Sequence, residues 1–113
     1  MLKLLDSESV PDIVRELVEV SIIGDYHRLA QADRMAMVGQ LAEIAQKPNL
    51  HAAAAALRGL GRIAGFDKSM WTYLTPAALG GAAGTYRKLR DRGLVSKTES
   101  LESGFAGSQD PPR

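Results

Sequence analysis

A chain of 113 residues, 45% hydrophobic and 24% charged, has the composition of one soluble globular domain with a single core. It holds no cysteine, which excludes a disulfide scaffold, a thiolate metal centre and a cysteine nucleophile, and fits a reducing compartment. The net charge of +1 hides an uneven distribution: residues 1–25 carry two cations against six anions, residues 26–68 six against three, and residues 69–95 four against one.

Aromatic residues make up 5% of the chain, so the core is expected to come from Leu, Ile, Val, Met and Ala. The apolar run at Met1–Leu5 is too short for a signal peptide. The uncharged stretch 69–86 is too rich in Gly and Thr to span a bilayer. A cytoplasmic protein with no membrane partner is expected.

Ser9-Val-Pro-Asp12 has the form of a capping box with proline in the first turn. It opens an acidic first helix over 10–23, whose apolar stripe is Val10, Ile13, Val14, Leu17 and Val20 or Ser21, with Gly24 as its stop. Asp25 can cap a second helix towards Gln46, re-nucleated at Asp33, with Leu29, Met35, Val38, Leu41, Ile44 and Ala45 on its apolar side. Met35 and Met37 read as flexible core filler. Pro48 breaks that helix, because a proline disfavours helical geometry in the residue before it. Asn49 then caps a third helix through the alanines 52–56 to Ala64, with Gly65 suited to a left-handed stop.

Thr75-Pro76 signals a basic last helix over 76–92, closed by Gly93. Gly80, Gly81 and Gly84 each cost about 1 kcal/mol against alanine inside a helix, so they require either close packing or a turn. From Ser96 the chain is rich in Ser, Gly, Glu and Pro, and 98–113 reads as a disordered tail. The fold class is all-α: one helical domain over 1–97 with four to five helices, and a flexible tail.

No motif for chemistry survives its own requirements. Gly59-Leu-Gly61-Arg-Ile-Ala-Gly65 lacks the preceding strand and following acid of a dinucleotide-binding turn, and Gly80–Thr85 lacks the lysine of a phosphate loop. His27 and His51 have no ligand-like spacing. A non-enzymatic protein with no metal and no cofactor is expected.

Two segments point to nucleic acid. Arg87, Lys88, Arg90 and Arg92, followed by Lys97, form a basic band beside Tyr86 that could meet successive phosphates. Residues 60–74 have the small, turn and bulky residues of a helix-turn-helix, which would direct Lys68, Ser69, Met70, Thr72 and Tyr73 outward.

Leu41-Ala-Glu-Ile-Ala45, the break at Pro48-Asn49, and Ala55-Ala-Leu57-Arg-Gly-Leu60-Gly61-Arg62-Ile-Ala-Gly65-Phe66-Asp-Lys68 resemble the small subunit of tailed-phage terminase. The resemblance covers about a quarter of the chain and rests on a Leu-Gly-basic-x-x-Gly-aromatic pattern. It implies a non-catalytic homo-oligomer that binds double-stranded DNA for a large ATPase subunit during genome packaging, with Leu57, Leu60 and Ile63 at the oligomer interface. Residues 1–48 depart from that family by showing no N-terminal helix-turn-helix. Leu74–Leu79 and Thr85–Val95 are also similar to the end of a winged-helix transcription regulator. A third expectation, a helical adaptor without nucleic acid, pairs the acidic first helix with the basic band of a neighbouring subunit.

Overall fold

A computed structural model of the protein describes residues 12–109, excluding the side chains of 12–16, 18, 19 and 106–109. Among the described residues it is all-α, with no strand. The helices are α1 (Asp12–Tyr26), α2 (Gln31–Ala45), α3 (Leu50–Phe66), α4 (Pro76–Asp91) and α5 (Glu99–Gln109), and a 3-10 turn spans Lys68–Tyr73 between α3 and α4. None of them is long and apolar enough to cross a membrane. The proposed cap at Ser9 lies outside the described residues.

α3 is the hub, and α1, α2, α4, α5 and the 3-10 turn all pack on it. Its alanines explain how. Ala52 through Ala56 are buried together with Leu57, Leu60 and Ile63, and small side chains let neighbouring helices approach from several sides. The Asn49 side chain caps α3 by accepting from the Ala52 N–H at 3.2 Å, as expected from the Pro48 break. Thr75 caps α4 in the same way from Ala78 N–H at 3.1 Å, with Pro76 in the first turn.

α4 also ends as the sequence indicates. Gly93 adopts φ +73°, and the Leu94 and Gly93 N–H groups donate back to the Leu89 and Arg90 carbonyls at 2.9 and 3.0 Å. That pairing satisfies the last carbonyls of the helix and needs the left-handed residue that glycine supplies. α4 runs through Gly80, Gly81 and Gly84 without a turn. Only Gly81 has close packing to explain it, since a Cβ there would meet the Gln46 side chain; Gly80 and Gly84 face open space.

Several expectations are corrected. α1 passes through Gly24 to Tyr26, and α2 starts at Gln31 without a side-chain cap rather than at Asp25. Among the described side chains the buried face of α1 is Ile22 and Tyr26, while Leu17 and Val20, on the expected apolar stripe, stand 64% and 58% exposed. Met35, read as core filler, is 45% exposed. α3 extends to Phe66, and Gly65 stays helical instead of turning left-handed. Aromatics do enter the core: Tyr26, Tyr86 and Phe105 are the largest fully buried side chains.

The largest correction concerns the expected tail. Residues 99–109 form α5, whose Leu101 and Phe105 are 0% and 2% exposed. Spaced i, i+4, they present one apolar edge to α3 and α4. Gly61 on α3 admits Leu101, whose Cγ lies where an alanine Cβ would come to 3.2 Å, and Gly104 on α5 lies flat against the Trp71 indole. Residues 110–113 lie outside the described residues.

Candidate nucleic-acid interface

The basic band does not form one free face. Successive helix residues rotate by about 100°, and Tyr86 and Leu89 set the buried side of α4. Arg90 therefore points at α5, where its Nη1 donates to Glu102 Oε1 at 2.8 Å. The Tyr86 hydroxyl donates to the same oxygen at 2.9 Å and accepts from the Thr98 N–H at 3.3 Å. The Arg90 guanidinium also lies over the Tyr86 ring, 5.7 Å from its centre. This network ties α5 to α4. Hydrogen bonding to Arg90 holds the Glu102 carboxyl below its usual range, and burial raises the Tyr86 phenol. Arg90, predicted to bind DNA, is a packing residue, as is Tyr86. Lys88 and Arg92 are exposed, Arg87 is half-buried, and Lys97 is exposed on the α4–α5 connection.

The helix-turn-helix expectation is not met. The segment after Asp67 is a six-residue 3-10 turn in place of a recognition helix, and Met70, expected outward, is fully buried. Lys68 and Ser69 are exposed, but Ser69 is engaged by the Asp67 cap of that turn, whose carboxylate accepts from both its N–H and its hydroxyl. The wing of a winged helix would come from residues that instead form α5. Leu57, Leu60 and Ile63, expected at an oligomer interface, are all 0% exposed within the chain's own core. Each contributes about 1.5–3 kcal/mol there and offers no surface to a neighbour.

A concave surface appears where the sequence shows none. The connection 95–98 and the first half of α5 run alongside α3 and leave a trench between them. One part, about 220 Å³, is lined by Arg58, Gly61, Arg62, Val95, Ser96 and Thr98. A larger part, about 580 Å³, is lined by Ala64, Gly65, Lys68, Trp71, Thr98, Glu99, Ser100, Ser103 and Gly104. Thr98 borders both, so the two parts adjoin there. Three cations and one carboxylate line it, together with the hydroxyls of Ser96, Thr98, Ser100 and Ser103. Ser100 Oγ donates to the Gly61 carbonyl at 3.0 Å and fixes the two walls. Trp71 stands at the inner end with its edge against Phe105, ring centres 5.1 Å apart.

Arg62 and Trp71 line this trench, which the sequence does not indicate because its second wall is α5. The one sequence signal was Arg58 and Arg62, spaced i, i+4 on α3.

A second concavity gathers Tyr26, His27, Arg34, Phe66, Asp67, Ser69 and Tyr73. A serine, a histidine and an aspartate meet here, yet not as a nucleophilic relay. Asp67 accepts directly from Ser69 and from the Tyr26 hydroxyl, the latter at 2.6 Å, and these bonds lower its carboxyl pKa. His27 stacks on Phe66, ring centres 4.4 Å apart, instead of bridging serine and aspartate. Arg34 donates to the carbonyls of Tyr26 and His27 at 2.9 and 3.2 Å and so closes the end of α1. Burial, reinforced by Asp67, raises the Tyr26 phenol well above its ordinary range. The cup joins the ends of α1 and α3. Among the described residues no group of acids and histidines is arranged to hold a metal ion.

Comparison of the chain with known protein families, with curated proteins and with solved structures finds no match.

Proposed function

We propose that the protein is a non-catalytic DNA-binding module in which the trench between α3 and α5 receives one strand of the phosphate backbone. The observation that carries this reading is the lining of the two adjoining parts of the trench, with Arg62 and Lys68 along one wall and hydroxyls along the other. Cations set the affinity for phosphates, and hydroxyls and backbone N–H groups fix the position of the strand. Lys97, exposed on the connection that forms the trench wall, extends the cationic surface beyond its rim. The genome-packaging role implied by the resemblance to terminase small subunits is the narrower form of this reading, and a large ATPase subunit would be its partner.

The test is the salt dependence of binding to short duplex DNA, followed by fluorescence anisotropy. Replacing Arg62, Lys68 and Lys97 together by alanine removes three phosphate contacts and is expected to flatten the log–log salt slope by about 3. Arg87→Ala with Arg92→Ala is expected to change it far less. Unchanged affinity and slope in the triple variant, or no binding by the parent chain, would overturn the reading. Exposed lysines and arginines tolerate alanine, so circular dichroism of each variant is expected to match the parent.

A further inference from the structure

α1 carries an apolar strip that nothing in the described chain covers. Leu17 and Val20 are 64% and 58% exposed, and the exposed Ser21 and Gly24 continue the same side of the helix at i+4 and i+7. The opposite side, Ile22 and Tyr26, is buried, and α1 packs chiefly on α3. A helix of 15 residues draws its stability mainly from packing, so two large aliphatic side chains held in water mark a surface built for a partner.

Charge selects that partner. The sequence of α1 holds four acidic residues against one basic, so pairing α1 with α1 of another copy would bring like charges together. The opposite combination exists at the far end of the same chain. Leu94, 40% exposed, follows the left-handed Gly93 and is flanked by Arg92, with Lys88 exposed one turn earlier. An apolar spot on an acidic helix and an apolar spot beside Lys88 and Arg92, where the exposed Asp91 carboxylate is paired with Arg90 at 3.5 Å, are complementary in both respects.

We propose that the Leu17–Val20 face of α1 docks on the Lys88–Leu94 end of α4 in a second copy of this chain. The contact joins two different surfaces, so it is head-to-tail and propagates into a ring or filament rather than stopping at a two-fold dimer. It uses none of the trench residues Arg62, Lys68 or Lys97 and does not depend on the DNA-binding reading. It also replaces Leu57, Leu60 and Ile63 as the basis of self-association.

Two full-length variants test it by light scattering after size exclusion, with helicity checked by circular dichroism. One is Leu17→Asp with Val20→Asp, which spoils only the α1 face. The other is Lys88→Glu with Arg92→Glu, which spoils only the α4 end. The parent chain is expected as an assembly larger than a dimer that shrinks at high salt. Each variant alone is expected at the mass of a single chain, 12.1 kDa, and an equimolar mixture at twice that mass, because each supplies the half that the other lacks. A monomeric parent would overturn the proposal and leave the strip to residues 1–11 or to another protein. So would a Lys88→Glu/Arg92→Glu variant that still assembles, which points to α1 pairing with itself, or a mixture that stays monomeric.

Discussion

α3 and α5 are both buried against their neighbours, and they achieve it by opposite means. α3 is apolar almost all round and buries eleven residues, most of them alanine and glycine. α5 is mostly Ser, Gly and Glu and holds on through Leu101, Phe105 and one polar network centred on Glu102. Burial spread over a small-residue surface is insensitive to any one position, whereas burial concentrated in two side chains is not. The trench inherits this asymmetry, since one wall is the hub of the fold and the other is held by two large side chains and one polar network.

Phe105→Ala tests the difference most severely. It empties a fully buried aromatic site between Trp71 and Tyr86, and a loss of about 3–5 kcal/mol is expected in urea unfolding. Ala54→Gly on α3, a change of one methyl and of helix propensity, is expected to cost only about 1 kcal/mol. Similar losses for the two would erase the comparison.

Gly104→Ala comes next. The new Cβ would fall on the rigid Trp71 indole, so the backbone of α5 must shift, and a loss of about 1–3 kcal/mol is expected. Trp71 is the sole tryptophan, so its emission reports the same displacement directly. Gly80→Ala on α4 is the counter-case. It faces open space at ordinary helical geometry, and a gain of up to about 1 kcal/mol is expected in thermal unfolding.

The smallest effect expected is one of pH. The Glu102 and Asp67 carboxyls are both held below their ordinary range, Glu102 first by Arg90 and Asp67 first by Ser69. Their contribution is therefore complete above the unfolded carboxylate range, about pH 4, and is lost as pH falls through the lower folded values. Glu102→Gln is expected to reduce that acid sensitivity and to loosen α5, read as faster amide exchange in 99–105.

These contrasts also show what a sequence can carry. The boundaries set by local chemistry were legible: Pro48 with Asn49, Thr75 with Pro76, and Gly93 each act through their own backbone and one or two neighbours. α5 was not legible, because Ser and Gly composition describes a solvated chain unless something receives Leu101 and Phe105. What receives them is Gly61, forty residues before Leu101 in the chain, and the rings of Trp71 and Tyr86 on either side of Phe105. The environment of the basic band was illegible for a related reason: spacing along α4 groups Arg87, Lys88, Arg90 and Arg92, but only the position of α5 decides that Arg90 pairs with Glu102. The stripe on α1 had the correct period and the opposite exposure, since a helical repeat identifies a face without saying which molecule covers it.

The most direct test of the account is amide hydrogen exchange over residues 58–70 and 95–105, measured on the whole chain alone and with a short DNA duplex. Protected amides are expected at Leu101–Phe105 in the free protein, because α5 is folded onto the core. Added protection is expected at Ser96–Ser100 and around Arg62 and Lys68 when DNA is bound. Unprotected exchange throughout 99–105 would contradict the existence of the trench wall, and protected but unchanged exchange on adding DNA would contradict its use.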